Sequence, residues 1–201
     1  MTPIGKTPRP AARHRVLALA RAVALACGLA AVAAPLTQAA AASEVASVER
    51  NVKAAFLYKF LSYVEYPAGL LAPDAPYVIG VTNADDVAAE LVRITEGRNV
   101  NNHPLQVRVL RSGDSVAGLH LLFIGASESA QATSWLRSAQ KASVLSVTET
   151  PDALQLGSVI NFRLVDNRVR FEVSVDAAEK SNVKLSSRLL SVAYAVQKGG
   201  S

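Results

Sequence analysis

One stretch of the chain, residues 158–175, restricts the possible folds more than any other. It reads SVINFRLVDNRVRFEVSV, two runs rich in β-branched and aromatic residues around the pair Asp166-Asn167. Such a pair suits the two-residue turn of a β-hairpin. A two-residue loop predicts these facing pairs: Val165 and Arg168, Leu164 and Val169, Arg163 and Arg170, Phe162 and Phe171, Asn161 and Glu172, and Ile160 and Val173.

The predicted hairpin has two unlike faces, because successive strand residues point to opposite sides. One face is continuous and apolar, so another part of the chain must cover it: Ile160, Phe162, Leu164, Val169, Phe171 and Val173. The other face is polar: Asn161, Arg163, Arg168, Arg170 and Glu172. Facing arginines repel each other, so we expect a carboxylate or an anionic ligand between Arg163 and Arg170. Glu172, diagonal to Arg163, is the simplest candidate, and an anion or a protein partner is the alternative.

Residues 1–42 differ in kind from the rest of the chain. They begin with four cations, Lys6, Arg9, Arg13 and Arg15, continue as an apolar run over 16–32, and end in the alanine tract 39–42. This layout predicts a secretory signal peptide cleaved near residues 39–42, followed by one exported domain over 43–201. A retained membrane anchor is the rival interpretation, which Arg21 disfavours because it interrupts the apolar run. Lipid attachment at Cys27 is disfavoured by Ala24.

Removal of this leader changes the charge and the cysteine content. The leader holds five of the 21 Lys and Arg residues and none of the 16 Asp and Glu residues, so 16 of each sign remain and the formal charge becomes zero. A neutral chain lacks the basic surface that nucleic acid requires. Cys27 is the single cysteine and leaves with the leader. The exported chain therefore has no disulfide, thiol nucleophile or cysteine metal site.

The remaining pattern alternates strands with helices. It predicts helices over 46–65 with Ser47 as N-cap, over 85–95, from Ser127 or Ser129 to 141, over 176–180, and from Ser186 or Ser187 through Val196 to the Gly199-Gly200 tail. Further strands are predicted over 77–82, 105–110, 120–124 and 144–147. The continuous apolar run at 120–124, bounded by glycines, predicts a central strand that is covered on both faces. The predicted fold class is α/β: a single mixed β-sheet flanked by helices on both faces, an α/β/α sandwich, with a C-terminal antiparallel hairpin.

Few residues suggest catalysis. After the leader, the only histidines are His103 and His120, and their spacing is not that of metal ligands. The run from Gly125 to Ser129 lacks the second glycine of a nucleophile elbow, and Ser127 is explained as a helix cap. A hydrolase that uses an unrecognised Ser or Asp is the third-ranked hypothesis. We therefore predict no enzyme, no metal and no cofactor.

The polar groups that cluster are those of the hairpin. Arg163, Arg168, Arg170 and Glu172 share one face, and Glu65 joins them if the end of the first helix packs beside the sheet. Guanidinium and carboxylate groups together suit a zwitterion, a small anion or the charged rim of a protein partner. These five residues are the predicted ligand- or partner-binding site.

Three segments resemble one known family: NVKAAFLYKFLSYVEYP at 51–67, LLFIGAS at 121–127 and GSVINFRLVDNRVRFEVSVDAAEKSNVKLSSRLLSVA at 157–193. Four features are specific in combination. They are a helix that ends in Tyr66-Pro67, the strand Ile160-Asn161-Phe162, the strand over 169–172, and the C-terminal segment that carries Leu189-Leu190. Together they resemble the YfiR-like family of exported proteins. The resemblance extends over nearly all of residues 43–201.

The resemblance implies a non-enzymatic periplasmic protein that restrains an inner-membrane diguanylate cyclase by binding its periplasmic part. Release of that restraint would raise cyclic-di-GMP and favour biofilm formation. It also implies a homodimer and a small zwitterionic or anionic ligand near Arg170, Glu172 and Glu65. Well-known members use cysteine pairs for redox sensing, which this chain lacks once Cys27 is removed. The alternative hypothesis is a periplasmic small-molecule-binding protein that serves a sensor kinase or a transporter.

Overall fold

The computed structural model describes residues 34–126 and 129–198, with side chains from residue 43 onward except that of Ser129. The leader as far as residue 33, the proposed Ser127 cap and the Gly199-Gly200 tail lie outside the described residues. The chain divides into two units, Met1–Ala46 and Ser47–Ser201. In the first unit, the described residues 34–46 are helical. The sheet and all the other helices belong to the second unit.

Five helices and ten strands make up the described chain. The helices are α1 (Ala34–Phe60), α2 (Asp85–Thr95), α3 (Ser129–Lys141), α4 (Val175–Lys180) and α5 (Ser187–Val192), and a 3-10 turn covers Leu61–Tyr63. The strands are β1 (Val64–Glu65), β2 (Tyr77–Thr82), β3 (Asn99–Val100), β4 (His103–Val109), β5 (Leu121–Ile124), β6 (Leu145–Thr148), β7 (Ile160–Val165), β8 (Arg168–Ser174), β9 (Lys184–Leu185) and β10 (Ala195–Gln197). Among the described residues, no helix is long and apolar enough to cross a membrane.

Eight strands form one mixed sheet in the order β10-β8-β7-β6-β5-β2-β4-β3. Neighbours from β7 to β4 are parallel, β7 and β8 form the antiparallel hairpin, and β10 runs parallel to β8. At the far edge β3 is antiparallel to β4. A separate pair, β1 and β9, is antiparallel. The predicted mixed α/β sheet is confirmed.

Both faces of the sheet are covered, as the side chains of β5 show. Leu121 and Phe123 belong to an apolar cluster that includes buried residues of α1 and α2. Leu122 and Ile124 belong to a second cluster with Trp135 of α3 and other buried side chains. All four residues of β5 are fully buried. A strand buried on both faces reads as a continuous apolar run rather than an alternating one, as predicted for this segment.

The hairpin register is as predicted at every pair from Val165 opposite Arg168 to Ile160 opposite Val173. Asp166 and Asn167 form the loop with φ of 49° and 56°. Positive φ at both loop residues is the geometry of a type I′ turn, and its twist matches that of the strands it joins. Asn and Asp tolerate this conformation better than other residues with a Cβ atom.

The prediction that the last helix extends through Val196 is wrong. Ser186 caps α5 by accepting a hydrogen bond from the Leu189 N–H, but the helix ends at Val192 and the chain continues as β10. Ala193 is extended, with φ −66° and ψ 143°. The Tyr194 N–H then donates to the Phe171 carbonyl oxygen at 2.8 Å. The open edge of β8 thus offers backbone partners that outweigh the helical pattern, because unpaired backbone groups are costly when buried.

The first helix also differs from its prediction. Ser47 lies inside α1 and does not cap it, and α1 ends at Phe60 instead of Glu65. After the 3-10 turn, Val64 and Glu65 pair with β9. The Ser186 N–H donates to the Tyr63 carbonyl oxygen at 2.9 Å, just beyond that pairing. A distant segment of the chain therefore supplies the backbone partner that sequence periodicity could not indicate.

Candidate functional site

The facing arginines of the hairpin lie where the register placed them. Arg163 and Arg170 are direct partners across β7 and β8. Glu172 is diagonal to Arg163, and the Arg163 Nη1 and Glu172 Oε2 atoms are 3.8 Å apart. The Arg163 side chain is 49% exposed and that of Glu172 only 16%. At that distance and exposure the pair contributes little stability, and the Arg163 guanidinium retains access to solvent.

An open groove lies beside the other two arginines. It has a volume of about 560 Å³, and Arg168 and Arg170 line it together with Asp166 and Tyr194. No ion pair within 4.0 Å joins either arginine to a carboxylate of residues 43–126 or 130–198. Two exposed guanidinium groups beside a polar groove can bind a carboxylate or phosphate with paired N–H donors.

Asn161 lies on the polar side of β7, yet it is covered. It is 1% exposed. The Thr148 Oγ1 atom lies 2.8 Å from Asn161 Oδ1 and 2.9 Å from Ser158 Oγ. These groups form a buried polar network where β6 pairs with β7. Asn161 therefore fixes the base of the hairpin and does not contribute to the exposed surface.

The apolar face of the hairpin is not fully covered, contrary to the expectation from the sequence, because Leu164 is exposed. Leu164 is 56% exposed, whereas Phe162 and Phe171 on the same face are each 3% exposed. Only Ile160 and Asn161 of β7 pair with β6. Beyond those two residues β7 pairs with β8 but not with β6, so the tip of the hairpin extends past the end of β6.

Glu65 lies in a different sheet from the arginines. It is an exposed residue of β1 whose register partner is Lys184 of β9. None of the ion pairs among the described side chains connects it with Arg163, Arg168 or Arg170. Its participation in a site with these arginines stays a prediction.

A cluster that the sequence reasoning missed joins α1 to the sheet. The Lys53 Nζ atom lies 2.5 Å from both Glu49 Oε1 and Glu149 Oε2. The Ala126 N–H donates to the other oxygen of Glu149 at 3.0 Å. Burial lowers the pKa of Lys53, but its hydrogen bonds to Glu149 and Glu49 outweigh burial and hold that pKa above its usual value. Lys53 is therefore a charged, doubly paired ammonium group that fastens α1 to the sheet.

Part of this cluster was readable from the sequence. Glu149 and Ala126 follow the adjacent parallel strands β6 and β5, whose carboxyl ends meet at one edge of the sheet. Glu49 and Lys53 are four residues apart on one helix face. The position of α1 over that edge is a tertiary fact, and no local pattern indicates it.

The two histidines after the leader serve the packing at the start of β2. His120 Nδ1 accepts a hydrogen bond from the Val78 N–H at 3.1 Å, and its ring lies 5.2 Å from that of Tyr77. The His103 ring is 5.4 Å from the same tyrosine. Burial is the largest influence on the pKa of His120 and lowers it below its usual value. Nowhere in the described part of the chain do three or more His, Cys, Asp or Glu side chains converge as a metal site would require.

A comparison with protein families adds the decisive observation. A family model described as YfiR/HmsC-like matches residues 50–194, a span that contains the hairpin, most of the sheet, and Lys53 and Glu149 of the Lys53 cluster. The chain belongs to the YfiR/HmsC-like family. The resemblance noted in the sequence is thereby confirmed. The family is a regulatory family of periplasmic proteins.

Solved structures support the fold of this YfiR/HmsC-like protein. The crystal structure of a conserved domain protein from Vibrio cholerae O1 biovar El Tor strain N16961 is similar, with a TM-score of 0.52 and 10% sequence identity. The match covers 74% of this chain and 60% of that chain. At this identity the likeness concerns the fold alone. No curated protein matches the sequence significantly.

Proposed function

We propose that this YfiR/HmsC-like protein is a non-enzymatic periplasmic regulator that restrains an inner-membrane diguanylate cyclase by binding its periplasmic part. Loss of the restraint raises cyclic-di-GMP and favours biofilm formation. The family match over residues 50–194 is the observation that carries this proposal. The zero formal charge of residues 43–201 suits a partner recognised through shape and apolar contact more than through electrostatic steering.

Deletion of the gene tests the proposal. We expect cyclic-di-GMP, measured by mass spectrometry of cell extracts, to rise and surface attachment to increase. The full chain should restore the original level, whereas a chain that lacks residues 1–42 should not, because it stays in the cytosol. Unchanged cyclic-di-GMP and unchanged attachment in the deletion strain would contradict the proposal.

A second candidate function is small-molecule binding for a sensor kinase or transporter. The groove beside Arg168 and Arg170 favours it, since these two guanidinium groups face solvent without a carboxylate within ion-pair distance in the described chain. Thermal unfolding with amino acids and small dicarboxylates as probes tests this function. A ligand at 100 times its dissociation constant adds about 2.7 kcal/mol to the free energy of unfolding. The shift should vanish in Arg168→Gln/Arg170→Gln and persist in Arg137→Gln, a control on α3.

We further propose that the protein acts as a homodimer. The exposed edge of β10 is a surface on which a second copy could add a strand, since edge strands carry unpaired backbone N–H and C=O groups. Light scattering on the exported chain measures its mass directly. A monomer at micromolar concentration would contradict this proposal without affecting the proposed regulatory role.

A further inference from the structure

The apolar face of the hairpin borders a second groove, between α1 and α5. Phe56 and Phe60 of α1 and Phe171 of β8 line it on one side, and Leu189 and Val192 of α5 line it on the other. Its volume is about 330 Å³. The aromatic rings lie close together: the Phe171 centroid is 5.5 Å from that of Phe56 and 5.1 Å from that of Phe60. These packed aromatic rings form one apolar wall of the groove.

Part of the apolar surface around this groove is open to solvent. Val192 is 68% exposed, and Tyr194, two residues further along the chain, is 58% exposed. Val196 on β10 is 38% exposed. Single exposed apolar residues are common on protein surfaces. Here, however, they follow one another from the rim of an apolar groove to a sheet edge, which is the pattern of an interaction surface.

Two cations stand at the rim of the groove. Lys59, in the last turn of α1, and Arg188, in the first turn of α5, line it and are exposed. Neither forms an ion pair within 4.0 Å with a carboxylate of the described residues. An occupant that matches this surface carries apolar side chains for the groove and carboxylates for its rim.

These charges argue against a second copy of the chain as the occupant. In a twofold contact the same patch meets itself, so Lys59 and Arg188 of one protomer would approach those of the other. Like charges placed opposite each other in an interface are unfavourable. A different protein that carries Asp or Glu beside apolar residues meets no such repulsion.

We propose that the groove between α1 and α5 is the docking site for an apolar, acid-flanked segment in the periplasmic part of the membrane cyclase. The inference rests on the proposed function and deepens it by assigning the contact surface. Arg170 and Phe171 point to opposite sides of β8. Val192 nevertheless lines both the docking groove and the groove beside Arg168 and Arg170, so the two grooves adjoin at the end of α5.

Charge reversal tests the rim. The probe is the purified periplasmic domain of the cyclase whose output rises when this gene is deleted, titrated against the exported chain. Lys59→Glu/Arg188→Glu should weaken binding by about tenfold, and raised salt should weaken the original protein more than the variant. The matched control is Lys141→Glu/Arg137→Glu, which reverses a last-turn lysine and an arginine on α3. Equal binding by both double variants would overturn the docking site.

Photo-crosslinking in intact cells tests the groove without a charge change. The crosslinking residue p-benzoylphenylalanine at position 192 should form an adduct with the cyclase. The same residue at position 109, which is 43% exposed on β4, should not. No adduct with the cyclase at position 192, or an adduct there between two copies of this chain alone, would overturn the inference.

The deletion strain distinguishes failure of the docking site from failure of the regulatory role. If cyclic-di-GMP rises on deletion but position 192 does not capture the cyclase, the docking site is wrong and the regulatory role stands. If cyclic-di-GMP does not change, both are wrong. Thermal unfolding of each variant shows whether weaker binding reflects the lost contact or a lost fold, and only a folded variant that binds tenfold more weakly supports the site.

Discussion

The two faces of the hairpin formed by β7 and β8 have opposite physical roles, although they alternate residue by residue along the same strands. On one face Phe162 and Phe171 are each 3% exposed and pack against aromatic rings of α1. On the other, Arg163 and Arg170 stand opposite each other and the Arg163 side chain is 49% exposed. Burial on one face therefore stabilises the fold, whereas the arginines of the other face are exposed to solvent.

A second contrast runs along the hairpin from its base to its tip. At the base, Ile160 and Asn161 are both buried although one is apolar and the other polar. At the tip, Leu164 is exposed although it is apolar. The difference follows from β6, which pairs with only the first two residues of β7. Position relative to neighbouring elements thus outweighs residue type in deciding what is buried.

The largest effect should come from the covered face. Phe171→Ala removes a buried ring and leaves a cavity, so the free energy of unfolding should fall by about 3–5 kcal/mol. Leu164→Ala on the same face but at the exposed tip should change it by no more than about 0.5 kcal/mol. Urea denaturation followed by circular dichroism measures both. Comparable losses for the two variants would show that the tip is covered in solution.

The polar network at the base should give the next largest effect. Thr148→Val keeps the shape of the side chain but removes the hydroxyl group that lies 2.8 Å from Asn161 Oδ1. A buried acceptor without its donor costs about 1–3 kcal/mol. Thr148→Ser retains the hydroxyl and serves as the control, with a loss of about 0.8 kcal/mol for the missing methyl group. A valine variant as stable as the serine variant would mean that Asn161 has another donor.

The turn offers a smaller and opposite effect. Asn167→Gly relieves the strain of φ 56° and should raise the free energy of unfolding by about 0.5 kcal/mol, part of the gain being offset by the greater freedom of glycine in the unfolded chain. Asn167→Ala should lower it by about 1 kcal/mol, because a Cβ atom is unfavourable in this conformation. Chemical denaturation measures whether each substitution raises or lowers the free energy of unfolding. The register assignment fails if alanine stabilises the protein more than glycine does.

The smallest effect on stability should come from the arginine face of the hairpin. Arg163→Gln/Arg170→Gln removes facing cations and a weak ion pair, so the free energy of unfolding should change by no more than about 0.5 kcal/mol. The same variant should lose part of its control of cyclic-di-GMP, or its response to a ligand, in the deletion strain. If it unfolds instead, the arginines are structural and the contrast between the two faces disappears.

Local patterns predicted much of this fold, and the errors have a common origin. The hairpin register, the buried strand β5 and the Ser186 cap depend on residues close together in sequence, and all three are confirmed. The extension of the last helix through Val196 and of the first helix to Glu65 was wrong. In both places the segment predicted as helix instead forms a strand that pairs with a strand from elsewhere in the chain: β1 with β9, and β10 with β8. Helical periodicity in the sequence does not indicate whether a distant strand is available to pair with the segment.

The candidate sites also differ in whether local sequence patterns could predict them. The arginine face follows from alternation and a two-residue turn, so the sequence predicted which side chains share it. The contact of Lys53 with Glu149 and the groove between α1 and α5 join residues from helices and strands far apart in the chain, so the sequence could not predict them.

The sequence by itself determined the hairpin, its register and its unlike faces, because alternation and turn geometry act over a few residues. Only the tertiary structure decided how far each face is covered, where the ends of α1 and α5 give way to strands, and which cations border an apolar groove. Those outcomes depend on where distant segments pack. Burial and backbone pairing are settled by the neighbours that a segment meets, and not by its own composition.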